Sequence, residues 1–321
     1  MNWYVMGVDL GSTTAKVAVV DSHGELVGSK IVQMGAVSTQ AVSVAMEAAL
    51  AAAGISQPDI LRTISTGYGR KLVPADKTFT EITCHARGAA KMSPGVRLVI
   101  DIGGQDSKAI AVDQDGLVDR FAMNDRCASG TGRFFDVLCR ALEVPIDQVG
   151  SLAMSGDDSL EVSSMCATFA ETEVISLLAQ GASKANIAAS VHKAVASRTL
   201  GLVAQVGRGS PVVMTGGVAK NPALVHYLSE ALRLPIEMLD EPQIAGAYGA
   251  ALIAREEHLG NVSAAAADVA AAAQAAAGLA VAVPRCADCD GQLGSSSSRR
   301  PVPVAISPRP MVGLRSGGRE A

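Results

Sequence analysis

Along the first 260 residues, apolar positions fall into two kinds of pattern. Short runs of strand length, such as Tyr4 to Val8, Leu98 to Ile100 and Val212 to Met214, stand between longer stretches with helical periodicity. The spacing predicts helices over 38–54, 127–143, 166–181, 183–206 and 221–233, another near 243–258, and one opening at Cys84-His85. Strands alternating with helices predict an α/β fold.

An internal repeat sharpens this. Residues 9–21 read DLGSTTAKVAVVD and residues 101–113 read DIGGQDSKAIAVD. Each copy is Asp-x-Gly, a Lys seven residues after the Asp, and a second Asp five residues later. Each is preceded by one apolar run and continues as another, which predicts strand, glycine turn, strand. Two copies of one hairpin predict two related half-molecules facing each other, with a boundary near residue 95: subdomains 1–95 and 96–260.

The repeat also carries candidate chemistry. Gly11 lacks the Cβ that would hold a phosphate away from the backbone. Ser12, Thr13 and Thr14 offer hydroxyls, Ala15 an exposed N–H, and Lys16 a positive charge. Asp9 ends the first strand, where a carboxylate holds Mg2+ directly or through waters. The second copy supplies Asp101, Gly103, Gly104 and Gln105. Gln105 is placed to orient an attacking water, with Asp101 helping to hold the metal or to polarise that water. A third piece, VVMTGGVAKN over 212–221, is a strand ending in Gly216-Gly217 before a helix start at Asn221-Pro222. It suits a purine and ribose, and Gln243 with the Gly246–Gly249 segment would complete that pocket. One Asp-x-Gly alone is only a hairpin turn; two matched copies with the third piece point to a nucleotide triphosphate clamped between halves. Neither a Walker P-loop nor a Rossmann fingerprint occurs.

Composition changes the picture in three places. The net charge is only −4, without a basic stripe in the first 260 residues, so no nucleic-acid partner is expected. Met1-Asn2-Trp3 leads directly into a strand, and no apolar run is long enough for a membrane span, so a cytoplasmic chain with reduced cysteines and no membrane partner is expected. After residue 260 the sequence becomes low-complexity. Twelve of the twenty residues over 261–280 are Ala, and a Pro-, Gly- and Arg-rich stretch follows, so 261–321 is expected to be a disordered tail.

Six cysteines remain to be read, at 84, 127, 139, 166, 286 and 289. Cys127 and Cys166 each precede a predicted helix among small and polar residues, where the helix dipole favours a thiolate. Spacing alone leaves them open between small core residues and cluster ligands. Cys139 lies on an apolar helical stripe and Cys84 reads as structural. Cys286 and Cys289 form a C-x-x-C in the tail that supplies only half a zinc site and reads as incidental. His23, His192, His226 and His258 read as surface or loop positions.

Taken in order, GVDLGSTTAK, DIGGQDSK, NDRCASGTGRF, CATFAETEVISLLAQG and MTGGVAKN span nearly all of residues 5–255. This set resembles the activator (archerase) family of 2-hydroxyacyl-CoA dehydratases, which relates to the ATPase subunits of benzoyl-CoA reductase. The resemblance implies two actin-like, ribonuclease H-like subdomains with ATP or ADP and Mg2+ between them. It also implies a homodimer with one bridging 4Fe–4S cluster held by Cys127 and Cys166 of each chain. ATP hydrolysis would drive one electron from reduced ferredoxin or flavodoxin to a 2-hydroxyacyl-CoA dehydratase component. Two alternatives share the fold: an ATPase subunit of a benzoyl-CoA reductase-type complex, and a small-molecule kinase with structural cysteines. The tail departs from the family core.

Overall fold

Each copy of the repeat folds as the antiparallel hairpin that its glycine turn predicts, and each hairpin seeds a sheet. The structure is a computed structural model describing residues 3–35, 37–124, 130–157, 160–162 and 167–260, with backbone alone at 167–170. The expected tail, with Cys286 and Cys289, lies outside the described residues, as do Cys127 and Cys166.

The first sheet contains β1 (Tyr4–Leu10), β2 (Thr14–Asp21), β3 (Leu26–Gln33), β4 (Ile60–Thr66) and β5 (Lys77–Thr78), ordered β3-β2-β1-β4-β5. The second contains β6 (Leu98–Ile102), β7 (Ser107–Val112), β8 (Val118–Asn124), β9 (Val212–Thr215) and β10 (Ile236–Glu237), ordered β10-β9-β6-β7-β8. Read outward from β1 or from β6, the two are the same design. Two antiparallel neighbours lie on one side and two parallel ones on the other. Register is also shared. Asp9 stands opposite Lys16 on β2 and Thr66 on β4; Asp101 stands opposite Lys108 on β7 and Thr215 on β9.

The helices are α1 (Thr39–Ala53), α2 (Glu81–Met92), α3 (Gly132–Leu142), α4 (Val149–Met154), α5 (Ala167–Ala179), α6 (Lys184–Val206), α7 (Pro222–Leu232) and α8 (Ala245–His258). Their starts follow capping chemistry. The Ser38 hydroxyl accepts from Ala41 N–H, Thr80 from Thr83 N–H, and the Asn221 amide oxygen from Ala223 and Leu224 N–H, with Pro222 in the first turn. α3 begins later than periodicity predicts, because Gly130 adopts φ +88° and Thr131 is extended.

Strand alternation sorts the core. Met6, Val8 and Leu10 face α1, while Val5 faces α8. In the second sheet Leu98, Ile100 and Ile102 face α3, α6 and α7, while Val99 faces α2. Residues 245–258 thus return to complete the first sheet although they follow the second in sequence. All described residues belong to one compact unit, and its centre is the contact of α2 with α8. There the two backbones touch. A Cβ on Gly88 would stand 1.9 Å from Ala245 O, and one on Gly249 would stand 1.8 Å from Cys84 O. Cys84 is fully buried in this seam, and burial pushes its thiol up to about 12, which suits its expected structural role.

His192 corrects the surface expectation: it is 0% exposed on α6. Its Nδ1 lies 2.7 Å from Ala188 O, its Nε2 lies 2.9 Å from the Asn221 amide nitrogen, and its ring packs on Phe135 at 4.8 Å. The helix buries both faces at this point, so periodicity gave no polar stripe on which to place it. Burial lowers its pKa from 6.5 to about 4.

Two outcomes follow from the packing. Gly249→Ala is expected to lower stability by at least about 2 kcal/mol in urea unfolding, because backbone rather than a flexible side chain blocks the new methyl. For His192, the unfolded chain takes up a proton at 6.5 whereas the folded one resists until about 4. Its contribution is therefore complete above 6.5, is lost as pH falls toward 4, and is flat below. The loss is on the order of 3 kcal/mol at most, and this part of the slope of unfolding midpoint against pH should vanish in His192→Leu.

Candidate functional site

The C-terminal ends of β1 and β6 point into one cleft of about 640 Å3. It is lined by Asp9, Gly11, Ser12, Thr13, Thr14 and Lys16 from the first hairpin, and by Asp101, Gly103, Gly104 and Gln105 from the second. Gly216, Gly217 and Gln243 line the same cleft. The hairpin turns meet face to face: a Cβ on Gly104 would come within 3.0 Å of the hydroxyls of Ser12 and Thr13. A side chain there would crowd those hydroxyls, whereas glycine leaves room for close approach to a phosphate chain. Ala15 does not line the cleft. Alternation along β2 turns its side chain into the core beside Met6 and Val8. Nor does Gly249, which serves the helix seam; Gln243 instead lies 3.3 Å from where a Gly217 Cβ would stand.

The two Asp–Lys pairs have diverged. Lys16 Nζ donates to Asp9 Oδ2 at 2.8 Å at the edge of the cleft, and that carboxylate is its sole ion-pair partner among the described residues. Lys108 is 2% exposed and gathers three carboxylates: Asp101 at 3.0 Å, Glu81 at 2.9 Å and Asp106 at 2.9 Å. Burial would strip its proton, but Asp101, Glu81 and Asp106 outweigh burial and hold its pKa well above the ordinary value. Asp101 mirrors this. Burial raises its pKa, yet the Lys108 ammonium and hydrogen bonds from Lys108 and Thr215 hold it well below the usual carboxylate range. So Lys16 is the lysine available to a nucleotide, while Lys108 fixes and neutralises Asp101.

Three participants escaped the sequence reading. Thr215 Oγ1 donates to Asp101 Oδ1 at 3.0 Å. His85, the fifth residue of α2, lines the cleft with its Nδ1 3.0 Å from Thr215 Oγ1. Thr66-Gly67 is the sister of Thr215-Gly216. Gly67 has φ +93° and Gly216 has φ +86°. A Cβ on either would stand 2.4 Å from Asp9 Oδ1 or 2.8 Å from Asp101 Oδ1. Each carboxylate is thus folded beneath a left-handed glycine. The signal was legible, since a Thr-Gly closes the strand in both STGYG and MTGGV.

The second turn is also tied to the next helix. Gly132 N–H donates to Gly103 O at 2.8 Å, and Arg133 N–H donates to Gly104 O at 3.0 Å. The start of α3 is therefore bonded directly to the floor of the cleft.

Residues 6–254 match the BadF/BadG/BcrA/BcrD ATPase family. The chain belongs to that family. Among its relatives, the activator of lactoyl-CoA dehydratase of Anaerotignum propionicum is 43% identical over 254 residues, covering 79% of this chain and 98% of the relative. Component A of the Acidaminococcus fermentans (R)-2-hydroxyglutaryl-CoA dehydratase superposes with a TM-score of 0.76 at 41% identity, over 79% of this chain and 98% of that one. The activator of the 2-hydroxyisocaproyl-CoA dehydratase from Clostridium difficile, solved with bound ADPNP, gives a TM-score of 0.75 at 39% identity, over 81% and 98%. The fold is the actin-like one of this family, and the chain is an ATPase. Among the described residues, no helix is long and apolar enough to cross a membrane.

The divergence of the two lysines yields a paired outcome. Lys16→Ala is expected to weaken ATP binding about 10- to 100-fold by calorimetry. Lys108→Met should instead destabilise the fold by about 3–5 kcal/mol, because it strands Asp101 as a buried charge.

Proposed function

We propose that this chain is an ATP-driven one-electron carrier that activates a 2-hydroxyacyl-CoA dehydratase. The names of its relatives support the dehydratase as partner. The observation that carries the coupling is the pair of hydrogen bonds from Gly132 and Arg133 to the carbonyls of Gly103 and Gly104. A shift of the second phosphate turn is passed by these bonds to α3, and Cys127 lies five residues before Gly132 in the sequence.

In this reading ATP lies in the cleft, with its phosphates between the two turns. Asp9 is suited to Mg2+, since that ion takes one or two carboxylates and fills its other positions with waters and phosphate oxygens. Gln105 orients the attacking water and Asp101, from the same second copy, acts on it too. Gly216, Gly217 and Gln243 receive the nucleoside. Thr14, buried at the start of β2, fixes the turn that Ser12 and Thr13 present.

The donor set bears on the cluster. Cys84 and Cys139 do not suit it: burial pushes their thiols up to about 12 and about 11, whereas a ligand must be a thiolate. Among the described residues no group of three His, Cys, Asp or Glu side chains forms a metal site. Cys127 and Cys166 of each chain are the remaining family-matched thiols, and two chains supply the four that a 4Fe–4S cluster takes. When bound, the cluster supplies a one-electron store, filled by reduced ferredoxin or flavodoxin. The functional form is then a homodimer.

Anaerobically purified protein should carry about four irons per dimer. Cys127→Ala and Cys166→Ala should each lose the iron and keep ATP binding. With reduced flavodoxin and ATP, the wild type should switch on a 2-hydroxyacyl-CoA dehydratase and the variants should not. A colourless, air-stable chain with full ATPase activity would overturn the electron-transfer reading.

A further inference from the structure

Cys84 and His85 are neighbours near the start of α2, and His85 meets the second copy of the repeated Asp–Thr pair. The Thr66 hydroxyl donates to Phe79 O at 3.1 Å, away from Asp9. Asp9 is thereby left with Lys16. On the other side the same strand position behaves differently. Thr215 gives its only proton to Asp101 Oδ1. Its oxygen then accepts from His85, so His85 carries its proton on Nδ1, which also lies 3.4 Å from Asp101 Oδ1. Lys108 holds the other oxygen, Oδ2, at 3.0 Å. Asp101 is pinned at both oxygens, whereas Asp9 is pinned at one.

We propose that His85 is a positioning residue for ATP hydrolysis: by donating from Nδ1 to Thr215 it locks the hydroxyl that orients Asp101 toward the attacking water. The claim rests on the family's ATPase activity and is independent of the cluster. In the step it serves, a water oxygen bonds to the γ-phosphorus as the bond from that phosphorus to the β-γ bridging oxygen breaks. ADP leaves with that oxygen, and the water's proton departs with phosphate or to solvent. His85 keeps its proton throughout. Its task is geometric, since a carboxylate fixed in one rotamer aligns water without reorganising. The arrangement also explains why a histidine is 5% exposed at the edge of a polar cleft while its neighbour Cys84 anchors the seam with α8.

Asparagine and glutamine variants separate the two ring nitrogens, because an Asn amide reproduces the Nδ1 donor and a Gln amide the Nε2 position. In single-turnover hydrolysis, His85→Ala is expected to slow the chemical step about 10- to 100-fold, the span of one hydrogen bond in a charged network. Affinity for a non-hydrolysable ATP analogue should stay within about threefold. His85→Asn should recover most of the rate and His85→Gln should not. Thr215→Val should match His85→Ala, and the double variant should be no slower than either. Nitrogen-15 NMR of labelled histidine should show the Nδ1–H tautomer for His85 in the wild type. An unchanged rate in His85→Ala, rescue by Gln rather than Asn, additive loss in the double variant, or an Nε2–H tautomer would each overturn the proposal. Should His85→Ala fail to fold, the Asn and Gln variants and the tautomer decide alone.

Discussion

Everything about the cleft depends on two helices meeting without side chains between them. Gly88 on α2 and Gly249 on α8 leave backbone in contact with backbone, and Gly7 on β1 lets α8 settle equally close to the first sheet, where a Cβ would come 2.0 Å from Ala247 O. Each helix covers the inner face of one sheet. Their separation therefore sets how far apart the two hairpin turns stand. Larger residues in this seam would wedge the halves apart, and Gly104 would no longer meet Ser12 and Thr13. The glycines that matter most for nucleotide geometry thus include three that never touch it.

Onto this symmetric frame the chain has written an asymmetric electrostatic plan. Both copies place an Asp opposite a Lys and a Thr at the end of a strand. In the first, the lysine stays at the cleft edge with one carboxylate, so it retains charge to offer a phosphate. In the second, Glu81 and Asp106 join Asp101 around a buried Lys108, so the pair is committed to holding Asp101 ionised and still. A buried ammonium is tolerable only because three carboxylates offset its desolvation. The difference between the two halves follows from which lysine was buried.

The same second copy is bonded to the start of α3. Amide hydrogen bonds are short and directional, so a turn that moves with its phosphate moves the helix terminus with it. A nucleotide site joined in this way to a neighbouring helix can report its state over a distance with few intervening parts. That is a physical requirement of any device that couples hydrolysis to an event elsewhere.

Much of this was legible beforehand for one reason: hairpins are local. A turn of fixed length sets register, so the Asp–Lys pairing at a separation of seven, the α/β class and the paired phosphate turns could be read from the repeat itself. Period-two alternation would also have turned Ala15 inward, and the Thr-Gly echo after β4 was there to be found. Burial of His192 was hidden, because a helix covered on both faces carries no polar stripe. His85 and Thr215 were hidden for a related reason, since their partners lie 130 and 114 residues away in the chain. By itself, then, the sequence determined the two hairpins and the register of their Asp and Lys. Only the tertiary structure decided which lysine lines the cleft and which groups fix Asp101, because burial and long-range hydrogen bonds exist only once the two halves are brought together across α2 and α8.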